Sequence, residues 1–369
     1  MIKIIVVIGT RPEAIKMSPV IRELKKHSHA IETVVLITGQ HREMLDQVLD
    51  LFSLTPDYDL QVMTENQSLV SVTSKVLHGM DRILKREKPS MVLVQGDTTT
   101  TFAASLAAFY LKVRIGHVEA GLRTNNKYYP FPEEINRTLV SSLADIHFAP
   151  TERACSNLIA EGVPKERILV TGNTVIDALF YILTKECERD FGVDLNRGKT
   201  ILVTAHRREN FGRPLENICR AFVFLLERHP EIQIVYPVHP NPNVQKVVKR
   251  VLGEIDRIYL IDPVDYLSFV HLMNRSYLIL TDSGGIQEEA PSLGKPVLVL
   301  RNETERPEGI EAGTVRLVGT EARKIVESVE VLISDDSHYQ KMSQASNPYG
   351  DGRSSIRIAR AILDYFSNS

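Results

Sequence analysis

The sequence predicts an α/β protein, in which parallel sheets are covered by helices on both faces. Short apolar runs alternate with longer amphipathic stretches along all 369 residues, which is typical of strand–helix–strand units. The runs are nearly continuous in apolar residues, as expected for strands that are buried on both faces. The chain is 43% hydrophobic and 24% charged, the composition of a globular protein with enough residues for about two domains.

The first half of the chain carries five predicted strands and six predicted helices. The strands are Lys3–Ile8, Thr33–Thr38, Met91–Gln95, Arg114–Val118 and Ile146–Ala149. The stretches between them repeat apolar residues at helical spacing. The helices are Ala14–Lys26, Glu43–Leu51, Leu69–Arg86, Thr99–Tyr110, Glu133–Ser142 and Glu152–Glu161. This half is therefore predicted to form one parallel sheet covered by helices.

The pattern restarts near Thr200, after a polar connection that contains glycine. The strands predicted there are Thr200–Thr204, Gln233–Pro237, Ile258–Ile261, Tyr277–Leu280, Pro296–Leu300 and Thr314–Leu317. We therefore expect two Rossmann-like domains, residues 1–172 and 173–352, divided somewhere between Gly172 and Thr200. A periodic amphipathic helix at Arg353–Phe366 follows the breaker run Asn347–Gly352. Residues 353–369 are expected to pack back on the first domain and complete it.

Composition also excludes several classes of protein. A net charge of −2 offers no bulk electrostatic attraction to nucleic acid or to an anionic membrane. The first apolar run is too short to span a membrane and is not followed by a signal cleavage site, so we expect a cytoplasmic protein. The three cysteines, Cys155, Cys187 and Cys219, are widely separated and odd in number. This favours reduced thiols over a disulfide framework or a zinc site.

The familiar cofactor motifs are missing from the sequence. The turn after the first strand reads GTRPEA rather than GxGxxG, and no GxxxxGKS or GxxxxGKT segment occurs. No cluster of residues has the spacing of a structural zinc site or an EF-hand. We therefore expect metal-free phosphate chemistry that uses Arg, Lys and His side chains and helix N-termini.

The most informative segment is TDSGGIQEEAPSLGKP, at residues 281–296. A buried strand ends just before Ser283, Gly284 and Gly285, and a helical pattern begins at once. Two glycines at such a turn let a ligand approach the backbone, and the new helix favours a phosphate. Glu289 lies one turn into the helix, where a carboxylate can reach a ribose. The segment predicts a site for a nucleoside diphosphate, with an ordinary capped helix as the alternative.

Polar residues also follow the other predicted strands. These clusters are Gly9–Glu13 with Lys16, Thr38–Glu43, Gly96–Thr100, Glu119–Arg123 with Pro132–Glu134, Ala205–Asn210, Val238–Asn241 and Arg301–Arg306. Ligands of open α/β sheets bind beyond the carboxyl ends of the strands. The clusters therefore predict a central cleft that holds a doubly negative ligand, mainly through the second domain. The alternative is that they are solvated loops.

The ordered motifs resemble those of one enzyme family, the non-hydrolysing UDP-N-acetylglucosamine 2-epimerases. The motifs are GTRPEAIK, GQH, QGDTTTT, HVEAGLRT, FPEEINR, HRREN, PVHPN and DSGGIQEEAPSLGKPV, and they extend over essentially the whole chain. The resemblance implies a GT-B glycosyltransferase-like fold, with two Rossmann-like domains facing a central cleft and a C-terminal helix crossing back to the first domain. It also implies a homodimer that interconverts UDP-N-acetylglucosamine and UDP-N-acetylmannosamine without NAD or metal, for cell envelope polysaccharide synthesis.

The resemblance further assigns residues to three sites. Around the nucleotide it places Ser283, Gly284 and Gly285 at the pyrophosphate, Glu289 at the ribose, Phe269 and Val264 at the uracil, and Arg11, Arg306 and His206 near the nucleotide or its phosphates. Around the sugar it places Lys16, Asp97, Glu119 and Glu133. A second UDP-N-acetylglucosamine, acting as an activator, would contact Gln40, His41, Gln67, Arg207 and His239.

The chemistry explains why such a site needs several acids. The C2 proton of an N-acetylhexosamine is barely acidic, so the C1–oxygen bond to UDP must break to make it removable. Anti elimination gives 2-acetamidoglucal and UDP, and re-addition with protonation on the other face gives the epimer. Proton removal and return require acid–base groups on two faces. We expect Asp97 and Glu133 to handle protons, Glu119 to stabilise the cation, and His206 to help stabilise the leaving diphosphate.

All of these candidates except Glu119 also have a structural interpretation. Asp97 is followed by three threonines and could be a helix N-terminal cap. Glu133 could merely favour the helix dipole, and His206 could belong to a basic surface. A lysine on a first helix is usually solvated, which weakens the case for Lys16. Glu119 directly follows a buried apolar strand and therefore needs a partner.

Three other functions share parts of this pattern. A glycosyltransferase of the same fold would need an acceptor site and usually one dominant base, against which the three acids of the first domain argue. A hydrolysing epimerase, releasing N-acetylmannosamine and UDP, would differ only in whether water reaches the intermediate. A non-catalytic sugar-nucleotide sensor would keep the Ser-Gly-Gly turn and lose the acids.

Overall fold

The chain divides into two compact units in the computed structural model. The structure describes residues 1–39, 42–62, 67–195 and 197–367. The first unit comprises Met1–Tyr181 and Tyr349–Ser369, and the second comprises Ile182–Pro348.

The first unit is built on a seven-stranded parallel sheet. Its strands are β1 (Ile2–Ile8), β2 (Ile31–Ile37), β3 (Tyr58–Asp59), β4 (Met91–Gln95), β5 (Arg114–Val118), β6 (Ile146–Ala149) and β7 (Ile168–Val170). Its helices are α1 (Arg11–Lys26), α2 (Arg42–Leu51), α3 (Leu69–Glu87), α4 (Thr99–Tyr110), α5 (Glu133–Leu143), α6 (Glu152–Ala160) and α7 (Thr174–Leu183). The strand order is β3-β2-β1-β4-β5-β6-β7.

The second unit repeats this plan with six parallel strands. These are β8 (Lys199–Thr204), β9 (Ile232–Pro237), β10 (Ile258–Ile261), β11 (Leu278–Thr281), β12 (Val297–Val299) and β13 (Val315–Leu317). The helices are α8 (Arg213–Arg228), α9 (Pro242–Leu252), α10 (Tyr266–Arg275), α11 (Gly284–Glu289), α12 (Pro307–Glu311), α13 (Ala322–Ser334) and α14 (Asp336–Ser343). The strand order is β10-β9-β8-β11-β12-β13.

Both sheets confirm the predicted α/β class of fold. The strand pairs are parallel, and the central strands β1 and β8 are almost fully buried, as their continuous apolar runs predict. The chain order reverses between β1 and β4 in one sheet and between β8 and β11 in the other. Ligands of such sheets bind at these reversal points, beyond the carboxyl ends of the strands. The turns that follow these four strands are therefore candidate positions for a ligand site.

The C-terminal helix α15 (Ser354–Ser367) belongs to the first unit and packs against α1. Its first turn is capped by Asp177 of α7, whose carboxylate accepts hydrogen bonds from the amides of Ser354 at 3.1 Å and Ser355 at 2.8 Å. Tyr181, also on α7, stacks its ring on that of Phe52 at a centroid distance of 5.2 Å. These contacts place most of α7 in the first unit, whereas the division at residue 172 taken from the sequence falls before this helix.

The three cysteines are free, and Cys155 and Cys219 are buried. Burial raises the pKa of Cys219 to about 12, which suppresses its thiolate form. Within the parts of the chain that the structure describes, no helix combines the length and the apolar character needed to cross a bilayer.

Candidate functional site

Glu13 organises the two turns at the reversal point of the first sheet. Its Oε2 atom accepts hydrogen bonds from the amides of Gly9 at 2.5 Å and Thr10 at 2.6 Å, in the turn after β1. Its Oε1 atom accepts hydrogen bonds from the hydroxyls of Thr98 at 2.5 Å and Thr101 at 3.1 Å, after β4. Burial raises the pKa of Glu13, and these hydrogen bonds oppose the shift. The sequence analysis did not single out Glu13, although the Thr10-x-x-Glu13 capping box marks it.

Glu119 follows β5 and is 8% exposed, with Lys16 of α1 as its partner. The Lys16 ammonium lies 2.7 Å from Oε1 and 2.5 Å from Oε2 of Glu119, and the side-chain amide of Gln95 also donates to Oε2. The backbone of Glu119 is left-handed, with a φ of 63°, a conformation that costs a non-glycine residue about 1 kcal/mol and concentrates at functional sites. The solvated interpretation of Lys16 is therefore wrong, and the partner expected for Glu119 is present.

Asp97 lies after β4 and is held by α5. Its Oδ2 atom accepts hydrogen bonds from Nε of Arg137 at 3.0 Å and from Nη2 of the same guanidinium. Burial and the nearby Glu119 raise the pKa of Asp97, while Arg137 and Lys16 oppose the shift. The helix cap of α4 is Thr98, whose hydroxyl accepts from the amide of Thr101. The capping interpretation of Asp97 is therefore wrong, and its carboxylate stays at the strand end.

Glu133 is the first residue of α5 and is half-buried. Its neighbour Glu134 is buried and accepts hydrogen bonds from the amides of Thr124 and Asn125 and from Nη1 of Arg137 at 3.2 Å. Within the described ranges, Glu133 makes no side-chain hydrogen bond or ion pair. Glu134 therefore supports the loop before α5, and the carboxylate of Glu133 stays accessible.

Arg11 begins α1, directly after the turn that Glu13 closes, and its side chain is half-buried. No hydrogen bond or ion pair occupies its guanidinium among the residues that the structure describes. The turn therefore presents this cation beyond the end of β1, at the reversal point of the sheet.

Asp282 organises the reversal point of the second sheet, and the sequence analysis missed it. This fully buried carboxylate accepts hydrogen bonds through Oδ2 from the amides of His206 and Arg207, both at 2.8 Å, and from the side chain of Asn210 at 3.0 Å. It thereby ties the turn after β8 to the turn after β11. The signal in the sequence was an acid directly after a buried apolar strand, because a buried carboxylate needs several hydrogen-bond donors.

The imidazole of His206 lies between an acid and a second histidine. Its Nδ1 atom is 3.5 Å from Oδ1 of Asp282, and its ring stacks on His239 at a centroid distance of 5.2 Å. Burial lowers the pKa of His206, Asp282 acts in the opposite direction, and His239 and Arg207 add to the lowering. His206 and His239 were assigned to different sites from the sequence, but the structure brings their rings together.

Ser283, Gly284 and Gly285 form the turn between β11 and α11. Ser283 precedes the helix, and its hydroxyl makes no capping hydrogen bond. Neither glycine has a left-handed backbone. Among the described residues, a Cβ atom on either would meet no atom closer than 3.7 Å, which is Nη2 of Arg207 for Gly284 and Oε1 of Glu289 for Gly285. By contrast, a Cβ on Gly9 would lie 2.5 Å from Oγ1 of Thr100. The packing of the second unit therefore does not require glycine at 284 or 285.

The candidates for the ribose and the base lie on α10 and α11 and in the loop before α10. Glu289 is 9% exposed, and its Oε2 atom accepts a hydrogen bond from the hydroxyl of Tyr266 at 2.8 Å. Tyr266 begins α10, which is capped by Asp265, and Phe269 follows one turn later. Val264 lies in the loop before the helix, and the side chains of Val264 and Phe269 are half-buried. The contact between Tyr266 and Glu289 thus brings the predicted uracil and ribose groups into one neighbourhood.

Arg306 lies at the start of α12 and pairs with the buried carboxylate of Glu288 through Nε. Arg207 extends over Gly284 and lies 3.9 Å from the carboxylate of Glu305. The strand-end turns of the second unit therefore carry two partly exposed guanidinium groups near the Ser-Gly-Gly turn and its helix. Such groups are suited to phosphate because they are always charged and donate several hydrogen bonds.

The residues assigned to an activator site are divided between the two units. Arg207 and His239 belong to the second unit, and Gln67 belongs to the first, where its side-chain oxygen accepts from Lys75 at 3.3 Å. Gln40 and His41 lie outside the described residues. Within the described ranges, no group of three or more His, Cys, Asp or Glu side chains is arranged to hold a metal ion.

Comparisons with known proteins cover nearly the whole chain. A family described as UDP-N-acetylglucosamine 2-epimerase matches residues 22–363. A protein of Salmonella typhimurium named UDP-N-acetylglucosamine 2-epimerase is 56% identical over 372 residues, covering 98% of this chain and 99% of that protein.

Solved structures agree with these sequence matches. A structure of a UDP-N-acetylglucosamine 2-epimerase from Listeria monocytogenes, described as putative, superposes with a TM-score of 0.95 at 48% identity and covers 100% of this chain and 97% of that one. The enzyme of Neisseria meningitidis bound to UDP-N-acetylglucosamine superposes with a TM-score of 0.89 at 52% identity, covering 98% of this chain and 100% of that one. With its GT-B-like architecture, the chain belongs to the UDP-N-acetylglucosamine 2-epimerase family.

Proposed function

We propose that the protein interconverts UDP-N-acetylglucosamine and UDP-N-acetylmannosamine by eliminating UDP and adding it back, without releasing free sugar. The C1–oxygen bond breaks and its electron pair leaves with the diphosphate, while a carboxylate removes the C2 proton. The products of this half-reaction are UDP and 2-acetamidoglucal. UDP then adds to C1, and a proton is delivered to the opposite face of C2.

Two carboxylates in unlike surroundings carry this proposal. The adjacent, paired ends of β4 and β5 bring Asp97 and Glu119 side by side. Glu119 forms an ion pair with Lys16, whereas burial and the charge of Glu119 raise the pKa of Asp97. Acid–base catalysis requires carboxylates in different surroundings, and these two strand ends provide them. We assign proton handling to Asp97 and Glu133, and stabilisation of the cationic sugar to Glu119.

The second unit supplies the groups that we assign to the nucleotide. Gly284 and Gly285 weaken the start of a helix without any need from internal packing, since each glycine costs about 1 kcal/mol relative to alanine in a helix. Close approach of a diphosphate to the backbone accounts for both glycines. We assign Glu289 to the ribose, and Phe269 with Val264 to the uracil.

Charge on the departing diphosphate needs stabilising partners. We assign this role to Arg306 and His206 in the second unit and to Arg11 in the first. His206 is suited to it because Asp282 holds its backbone amide at 2.8 Å and fixes the turn that carries the ring. Preorganised donors of this kind lower a barrier because they need no rearrangement as charge develops.

Proton NMR in D2O tests the proposal directly. Purified protein is incubated with UDP-N-acetylglucosamine, without added metal or NAD. We expect UDP-N-acetylmannosamine to appear and both epimers to gain deuterium at C2. Free N-acetylmannosamine would identify a hydrolysing epimerase instead. Unchanged sugar with tight UDP binding would leave a sensor or an acceptor-dependent glycosyltransferase.

Two expectations from the family resemblance stay predictions. A second UDP-N-acetylglucosamine molecule would activate the enzyme, so the rate should depend sigmoidally on its concentration. A homodimer would have twice the mass of the 41.6 kDa chain in light scattering.

A further inference from the structure

We propose that Arg137 is a positioning residue, which fixes the Asp97 carboxylate relative to Glu133 on the same helix. The inference rests on the proposed function, because its consequence for the reaction depends on Asp97 handling the C2 proton. Arg137 follows Glu133 by four residues in α5. Side chains at this spacing lie on one face of a helix, about one turn apart.

The guanidinium of Arg137 bridges two acids. Nε at 3.0 Å and Nη2 both donate to Oδ2 of Asp97, while Nη1 donates to Oε2 of Glu134 at 3.2 Å. The Arg137 side chain is only 11% exposed, so these bonds are shielded from water. Both bonds end on one oxygen of Asp97, and the other oxygen, Oδ1, accepts no hydrogen bond within the described ranges. Arg137 thus anchors one oxygen and leaves the other to exchange a proton.

The backbone around Asp97 is held by different groups. The carbonyl of Gly96 accepts a hydrogen bond from Nε2 of His117 at 2.8 Å, and the carbonyl of Asp97 accepts one from the side chain of Asn136 at 2.9 Å. Burial lowers the pKa of His117 to about 3, so this histidine stays neutral and its bond persists across the working pH range. Loss of the Arg137 guanidinium therefore releases the Asp97 carboxylate, while the hydrogen bonds from His117 and Asn136 still hold the backbone of the turn after β4.

The charges facing Asp97 set the direction of the expected pH effect. Burial raises the pKa of Asp97, Glu119 after β5 raises it further, and Arg137 of α5 and Lys16 of α1 lower it. Replacing Arg137 by a neutral residue removes an opposing charge, so the pKa of Asp97 rises. Less of the carboxylate is then ionised at a given pH. A reaction that needs ionised Asp97 loses activity on the acidic side first.

The test compares Arg137→Met and Arg137→Lys with Arg114→Met. Arg114 pairs with the carboxylate of Asp145 at 3.1 Å, but it is 57% exposed and lies at the start of β5, away from the strand end that precedes Glu119. For Arg137→Met we expect kcat to fall by at least about tenfold, because a misplaced reacting group slows the chemical step. We also expect the acidic limb of kcat to move to higher pH, because the pKa of Asp97 rises. KM and the UDP affinity should stay within about threefold of wild type. Arg137→Lys should recover part of kcat, because it keeps the charge without the two-pronged contact.

Each outcome bears on the inference. An unchanged kcat and acidic limb in Arg137→Met would overturn it, as would an equal loss in Arg114→Met. If Arg137→Met does not fold, Arg137→Lys decides, since a kcat and acidic limb equal to wild type would then overturn the inference.

Failure of the proposed function gives a separate result, because the wild-type protein would then form no epimer in D2O. The infrared band of the protonated Asp97 carboxyl, assigned by its loss in Asp97→Asn, still reports the pH at which Asp97 ionises. If Asp97 ionises at a higher pH in Arg137→Met than in wild type, the inference is supported, and if it ionises at the same pH, the inference is overturned.

Discussion

Replacing Gly284 by alanine should stabilise the fold and weaken UDP binding. The nearest atom to the added Cβ is Nη2 of Arg207 at 3.7 Å, an ordinary contact distance, and the backbone is not left-handed. Under these conditions Gly→Ala stabilises a protein by about 0.4–1 kcal/mol, chiefly because the unfolded chain loses freedom. For a domain of this size the melting temperature should therefore rise by about 1–4 °C.

The loss in binding follows from the space that the new methyl group fills. The Cβ extends about 1.5 Å from the Cα, into the volume through which a phosphate would reach the backbone amides of the turn. Losing one charged hydrogen bond costs about 1.5–3 kcal/mol, which weakens the Kd for UDP by about ten- to hundredfold. Titration calorimetry with UDP and scanning calorimetry without it measure the two effects separately.

Gly9→Ala is the matched control for this prediction. Its Cβ would lie 2.5 Å from Oγ1 of Thr100, so the first unit should lose stability through overpacking, by about 1–3 kcal/mol. UDP affinity measured well below the melting temperature should change less than in Gly284→Ala. If Gly284→Ala binds UDP as tightly as the wild-type protein, a diphosphate does not approach this turn, and the explanation of the two glycines is wrong.

Three further predictions concern stability. Lys16→Met leaves the buried Glu119 carboxylate without its ion pair at 2.5 Å, and the free energy of urea unfolding should fall by about 3 kcal/mol. The control, Lys26→Met, breaks an exposed ion pair and should lower it by less than about 1 kcal/mol. Asp177→Ala removes the cap of α15 and should cost about 1–2 kcal/mol, with increased hydrogen exchange confined to that helix and its contacts. Burial raises the pKa of Glu13 above its ordinary 4.5 in the folded protein. The contribution of Glu13 to the free energy of unfolding is therefore most favourable below pH 4.5 and is lost as the pH rises through the pKa of the folded state. The unfolding free energy of wild type minus that of Glu13→Gln should therefore fall over that interval, and a flat difference would contradict the assignment.

The strands whose bounds the sequence predicted are those with a continuous apolar run. Met91–Gln95, Arg114–Val118, Ile146–Ala149 and the edge strand Ile258–Ile261 have the predicted bounds, because such a run is bounded by polar or turn residues. The edge strands β3 and β7 were missed. They contain only two and three residues, which is too short for an apolar run to mark them.

The acids at the strand ends of the site were predictable from the sequence, but the side chains that hold them were not. Each acid after a strand was visible as a polar residue at the edge of a sheet. Its partner was not visible, because Arg137 lies 40 residues from Asp97, and Glu119 lies 103 residues from Lys16. Periodicity describes one element at a time, whereas a buried charge is satisfied by whichever side chain the tertiary fold brings to it.

The cap of α15 also determines when the first unit can finish folding during synthesis. The Asp177 carboxylate and the amide of Ser355 are 178 residues apart in the chain, and the whole second unit lies between them. A ribosome adds about 5–20 residues per second, so the nascent first unit waits about ten seconds or more for its last helix. Through that interval the face of α1 that later receives α15 is uncovered, and the second unit is completed before the first.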